Sequence, residues 1–171
     1  MHTRRLLPIF LFSFLLMTAC RGRQRVHTDT TIGKEVMQVV MPTGKGVVHP
    51  QHGKEEWFAI GPMKGEGDTK ANGVAQAHVF ADGATIVTVN LNIHEPKAGY
   101  FVAWVQKPGS TERVLIDRMQ NPLKDVRFAA TADIAKDLRD YTTVIVTLQR
   151  SSSPQKDDPV VATGVLKHQE R

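Results

Sequence analysis

The sequence predicts an all-β fold, an antiparallel β-sandwich of about seven strands with one short helix, over residues 73–167. Three observations carry that expectation. In Thr85-Ile-Val-Thr-Val-Asn-Leu-Asn-Ile93, Val87, Val89, Leu91 and Ile93 are apolar while Thr88, Asn90 and Asn92 are polar. Period two over that length marks a strand with one buried face. Asp82-Gly83 separates this run from Val74-Ala-Gln-Ala-His-Val-Phe80, and Asp-Gly between two such runs is a strong hairpin signal. Short apolar runs and turn residues then alternate to the end of the chain, a spacing that suits a sandwich better than an α/β fold.

Pro96 and Gly99 end the 85–93 strand. Tyr100-Phe-Val-Ala-Trp-Val105 is the next strand, closed by Lys107-Pro-Gly-Ser110. Arg113–Asp117 and Val126–Ala130 are short strands, and Lys124-Asp-Val-Arg-Phe128 gives the second a charged outer face. Thr131 is placed to cap a helix from Ala132 to Arg139, with Asp133, Asp137 and Asp140 on or beside its solvated face. Tyr141–Leu148 is a Val/Thr-rich strand, and Pro159–Leu166 closes the domain, leaving 168–171 as a polar tail. Leu138-x-x-Tyr141-x-x-Val144-x-Val146 has the pattern of a tyrosine corner, in which the Tyr bonds back to the preceding turn; a half-buried strand aromatic is the plainer reading. Trp104, on a central strand, is expected in the core.

Residues 36–72 read as a loop-rich arm. Val36-Met-Gln-Val-Val40 has strand character, and Trp57, Phe58 and Ile60 form an apolar knot. Residues 41–55 and 61–73 hold Pro42, Gly44, Gly46, Pro50, Gly53, Gly61, Pro62, Gly65, Gly67 and Gly73, and read as loop. Gly65-Glu-Gly67 lacks the strand, helix and Lys-Ser/Thr that phosphate cradles need. Residues 20–35 are polar and read as a tether.

Residues 1–19 have the layout of an export signal. Arg4 and Arg5 precede the apolar stretch Leu6–Met17, 12 residues interrupted by Pro8 and Ser13, too short to span a bilayer. Thr18 and Ala19 lead to Cys20, the one cysteine of the chain. The ending Met17-Thr-Ala-Cys20 resembles the lipobox of bacterial lipoproteins, although that family usually has Leu where Met17 stands. The resemblance implies cleavage before Cys20, acylation of its thiol and an anchor in the cell envelope, in the outer membrane if the organism is Gram-negative, since residue 21 is Arg rather than Asp. Two or three acyl chains hold firmly where one binds marginally. An ordinary secretory signal with a chance cysteine, or a short buried helix, is the alternative.

The chain carries 22 Lys+Arg against 17 Asp+Glu, a formal net charge of +5 that falls to +3 once Arg4 and Arg5 leave with the signal. Much of the remainder is Arg21, Arg23 and Arg25, placed beside lipid head groups. The basic balance is therefore no argument for a nucleic-acid partner. A single cysteine excludes an internal disulfide and a multi-cysteine metal site.

Phe101-Val-Ala-Trp104-Val, Tyr141-Thr-Thr-Val-Ile-Val-Thr147 and Pro159-Val-Val-Ala-Thr-Gly164-Val together make residues 99–167 resemble the extracytoplasmic C-terminal domain of bacterial anti-sigma-K-type factors. The resemblance implies an Ig-like sandwich outside the membrane with a sensing or docking role. Sigma-factor binding is not carried over, because the sequence shows neither that family's transmembrane helix nor its cytoplasmic domain. Gln149-Arg150 also stand where it usually has an acidic residue.

His49-Pro-Gln-His52 is the one metal-like spacing. Two imidazoles three residues apart can share a metal, with His78, His94 or Met63 as further ligands, a set that suits copper; exposed loop histidines are the plainer reading. His94 precedes Glu95-Pro96 and is expected in a turn. No G-x-S-x-G occurs, Ser151-Ser-Ser153 lies in a polar loop, and an acylated Cys20 is no nucleophile. The expectation is thus no enzyme and no cofactor. The chain reads as a lipid-anchored envelope protein, a binding or adaptor module for an envelope protein or cell-wall polymer. An envelope copper carrier using His49 and His52 is the alternative, and a structural stub of a degraded anti-sigma system a third.

Overall fold

The computed structural model describes residues 46–170. The expected signal 1–19, Cys20, the tether and the run Val36–Val40 lie outside the described residues. Ten strands follow in order: β1 (Val48–His49), β2 (Gly53–Gly65), β3 (Ala71–Phe80), β4 (Thr85–Ile93), β5 (Tyr100–Gln106), β6 (Arg113–Arg118), β7 (Arg127–Ile134), β8 (Thr143–Gln149), β9 (Val160–Val165) and β10 (Lys167–His168). Every pairing is antiparallel. One sheet path runs β6-β5-β8-β9-β2-β3-β4-β7, with β1 and β10 added on β2. Its two ends approach each other, because Gln120, just after β6, exchanges backbone bonds of 2.7 and 2.9 Å with Ala129 of β7. The sheet is therefore nearly barrel-shaped.

The core lies inside this curve and is built by alternation. Val87, Val89, Leu91 and Ile93 of β4 point inward with Ala75 and Ala77 of β3, Phe101, Ala103 and Val105 of β5, and Val144 and Val146 of β8. Phe101 and Phe128 meet edge-on at 5.2 Å. Each large side chain buried here contributes roughly 1.5–3 kcal/mol. The Asp82-Gly83 hairpin forms as expected. Gly83 sits at φ 81°, Phe80 N bonds Ala84 O at 2.9 Å, and Asp82 Oδ1 accepts from Ala84 N at 3.0 Å.

Three expectations are corrected. The stretch 53–65 is no loop or arm: it is the longest strand, pairing β3 along most of its length. Trp57, Ala59, Gly61 and Met63 supply a period-two inner face that the Gly/Pro content hides. On its other side β2 pairs β10 through Ala59 and Ile60 and β9 through Met63–Gly65. Gly61 and Pro62 fall at the handover between those partners, where the ladder is interrupted and a missing N–H is tolerated. The helix at 132–139 is absent, for β7 continues to Ile134, pairing Ala132 with Val87 and Ile134 with Thr85. Isolated helices so short are marginal in water, whereas this alternation offers a ready edge for β4. Finally, residues 168–170 do not trail as a tail: Lys167 and His168 pair with β2, and Gln169 N bonds Phe58 O at 2.9 Å.

Trp104 is buried, but not in the main core. Its neighbours Ala103 and Val105 point inward, so it lies on the opposite face of β5 with Val102 and, on β8, Ile145 and Thr147, all nearly inaccessible. Its Nε1 donates to Thr147 Oγ1 at 2.9 Å. The polar segment 150–159 is tied over this face: Gln149 donates to Gln155 O (2.8 Å) and accepts from Gln155 N (2.7 Å). Arg113 reaches Lys156 O.

Candidate functional site

A cluster of histidine and carboxylate side chains lies on the outer face of β3, where β1 and the β1–β2 turn fold over it. The turn between Val48–His49 and Gly53 places His52 against two carboxylates from distant parts of the chain. Its Nδ1 is 2.7 Å from Asp82 Oδ2, in the β3–β4 turn, and its Nε2 is 2.8 Å from Asp133 Oδ2, on β7. His49 stacks on His52 at 4.8 Å, and both rings lean on Phe80, at 5.3 and 5.8 Å. Phe80 is almost wholly buried by this cover. The hydrogen bond to Asp133, then that to Asp82, raises the His52 pKa above the ordinary histidine value. The Asp82 carboxyl is held below its usual range, first by the Ala84 backbone N–H and then by His52.

A second histidine–carboxylate pair lies beneath. Glu55 and His78, both buried, approach to 3.4 Å, and Glu55 Oε2 also accepts from Val47 N at 3.2 Å. His78 packs on Phe58 at 4.8 Å. β2–β3 pairing sets Phe58 beside His78 and Glu55 beside Phe80, so register alone brings this layer together.

The alternative metal set, His49 and His52 with His78, His94 or Met63, is not gathered among the described residues. His49 and His52 do meet, but as stacked rings, with both His52 nitrogens on carboxylates. Met63 points into the core, and His94 is exposed at the end of β4. Among the described residues no group of three or more His, Cys, Asp or Glu is arranged to hold a metal ion. The aspartates expected on a helix face have separate tasks: Asp133 bonds His52, Asp137 pairs with Arg139 at 3.2 Å, and Asp140 with Lys107 at 3.6 Å. Sequence reasoning missed Asp82, Asp133 and Glu55 as histidine partners. The alternation Phe128, Ala130, Ala132, Ile134 was the available signal for Asp133, since it puts 129, 131 and 133 together on the outer face.

Tyr141 is buried beside the main core, yet its hydroxyl makes no corner bond to the backbone of the preceding turn. It donates to Glu112 Oε1 and accepts from Lys136 Nζ at 2.7 Å; those side chains converge there from either side of the β6–β7 gap. The Tyr141 bond, then Lys136, holds the Glu112 carboxyl below its usual range. The same bond to Tyr141, then Glu112, raises Lys136.

Open clefts also lie among the described residues. One of about 510 Å³ lies beside Lys54, Glu56, Trp57, His168 and Glu170, where the Trp57 and His168 rings stack at 5.7 Å. Another, about 460 Å³, is lined by Lys107, Lys136, Asp137, Arg139, Asp140 and Tyr141. Comparison with protein-family models, curated proteins and solved structures finds no match to this chain.

Proposed function

We propose that this chain is a lipid-anchored protein of the bacterial cell envelope whose β-domain is a non-catalytic binding or adaptor module. The observation that carries the reading is the position of Cys20, the one cysteine, directly after Arg4-Arg5, a 12-residue apolar stretch and Thr18-Ala19. Between Cys20 and Gly46 lie 25 residues, so the β-domain can stand at most about 80–90 Å from the lipid. Both clefts are open and carry charges of both signs, which suits docking at a macromolecular surface better than enclosing a small substrate.

We read the strand order, further, as that of an Ig-like sandwich. β6-β5-β8-β9 forms one layer and β3-β4-β7 the other, with β2 spanning the seam. In support, β5–β6 and β8–β9 are hairpins within a layer, while the connections β4 to β5, β6 to β7 and β7 to β8 step between layers. The resemblance of residues 99–167 to anti-sigma-K-type external domains favours the same docking role.

The test is an envelope cross-linking pull-down with a C-terminal tag in the native organism, beside Cys20→Ala. The expected result is an acyl adduct on Cys20 and one stoichiometric partner reduced in the variant. An unmodified, freely soluble protein sinks the anchor. No partner above the Cys20→Ala control sinks the adaptor.

A further inference from the structure

The β1–β2 turn is held across the sheet by one imidazole. An ionised carboxylate only accepts hydrogen bonds, and a neutral imidazole has one N–H. Contacts of 2.7 Å to Asp82 and 2.8 Å to Asp133 are both hydrogen bonds only when both ring nitrogens carry protons. Once neutral, His52 turns a lone pair toward one of the two carboxylates, and that contact becomes repulsive. We propose that His52 is a proton-operated clasp: charged, it fastens β1 and the β1–β2 turn over the outer face of the sheet, and neutral, it lets them go.

The three parts of the clasp come from separate elements, the β1–β2 turn, the β3–β4 turn and β7. Its opening therefore frees β1 and the β1–β2 turn from the face they cover, while β2 stays paired with β3. The titratable groups around it are Asp82 and Asp133 at the ring nitrogens, His49 stacked on the ring, and Glu55 with His78 in the layer below. Beneath the cover lies Phe80, so release uncovers an aromatic surface on β3. Because the two carboxylates raise the proton affinity of His52, the clasp is closed through mildly acidic pH and opens as pH rises through that raised value. Residues 46–52 lead back along the chain to Cys20. If the anchor reading holds, opening changes where the anchored segment leaves the domain, but the clasp itself does not depend on that reading.

The experiment follows amide exchange in the full chain across a pH series, corrected for the intrinsic pH dependence of exchange, with histidine ring resonances recorded in parallel. The reporters are the amides of Val47, Glu55 and Ala81, whose acceptors are Glu55 Oε2, Val47 O and Lys54 O. Their protection is expected to be lost relative to that of Val87 and Val89 as His52 loses its proton. His52→Asn is expected to leave these amides weakly protected at every pH. Asp133→Asn is expected to lower the His52 titration midpoint and move the opening with it, and it decides the matter alone if His52→Asn does not fold. Protection that stays flat through the His52 titration overturns the proposal. So does an opening that stays in place in Asp133→Asn, or a His52 that titrates at or below the ordinary value of 6.5.

Discussion

Replacing Gly61 by alanine tests the placement of β2 at the seam of the sheet. A Cβ there would stand 1.9 Å from Val165 O, 2.7 Å from the carbonyl carbon and 3.2 Å from Leu166 N, where real Cβ contacts essentially never fall under 3.0 Å. The two backbones must separate by about 1 Å, far more than packed interiors absorb without loss. Neither is free to move. Gly61 pairs with Ala75 on β3, while Leu166 is buried and its N–H bonds Thr142 O at 2.8 Å. Overpacking costs about 1–3 kcal/mol, and each of two backbone bonds lost between β2 and β9 or β10 about 0.5–1.5 kcal/mol. The expected loss is roughly 2–6 kcal/mol, from a domain stability on the order of 5–15 kcal/mol. In urea unfolding followed by tryptophan fluorescence the midpoint should fall by about 1–3 M, for m near 2 kcal/mol/M. Gly67→Ala is the control. It has φ 55° with nothing within 4 Å, so it should cost only about 1 kcal/mol of backbone strain. A loss at Gly61 no larger than at Gly67 refutes the seam and returns residues 61–65 to a loop.

Three further outcomes are expected. Trp104→Phe keeps most of the ring but deletes the bond to Thr147; it should cost about 1–2 kcal/mol against about 3–5 kcal/mol for Trp104→Ala, and equal losses in calorimetry would contradict the bonded, covered position. Tyr141→Phe should flatten both limbs of the Tm–pH curve. The lowered Glu112 contributes stability above its ordinary pKa that is lost as pH falls through the lowered value. The raised Lys136 contributes below its ordinary pKa and loses that as pH rises through the raised one. A difference from the parent that is constant with pH would detach Tyr141 from these two groups. Copper or zinc titration should show no saturable micromolar binding that depends on His49 and His52; binding abolished in His49→Ala/His52→Ala would require the rings to unstack and rearrange.

Legibility in the sequence followed the local physics. β4 was readable because seven of its side chains alternate without interruption, and the β3–β4 hairpin because Gly83 supplies the positive φ that its turn needs. β2 was not, since Gly61, Pro62 and Gly65 are loop residues by every local rule; Gly61 and Pro62 are tolerated where β9 gives way to β10, and Gly65 lies beyond that point, paired with Ala162 of β9. The segment after Thr131 carried two compatible patterns, a capped helix and an alternating strand. The open edge of β4 decided between them. At the site, His49 and His52 were visible as a pair, but the carboxylate partners of His52 lie 30 and 81 residues away along the chain, a separation on which no spacing rule operates.

What the sequence determined by itself is the all-β class, the Asp82-Gly83 turn, the inward row of β4 and the burial of Trp104, all set by residues within a few positions of each other. Tertiary structure alone decided which face Trp104 lies on, what the Tyr141 hydroxyl bonds, that β2 joins the two halves of the sheet, and that His52 meets two carboxylates. Those outcomes depend on which strand lies beside which. A period of two tells a strand which face to bury, but it is blind to the neighbour that will do the burying.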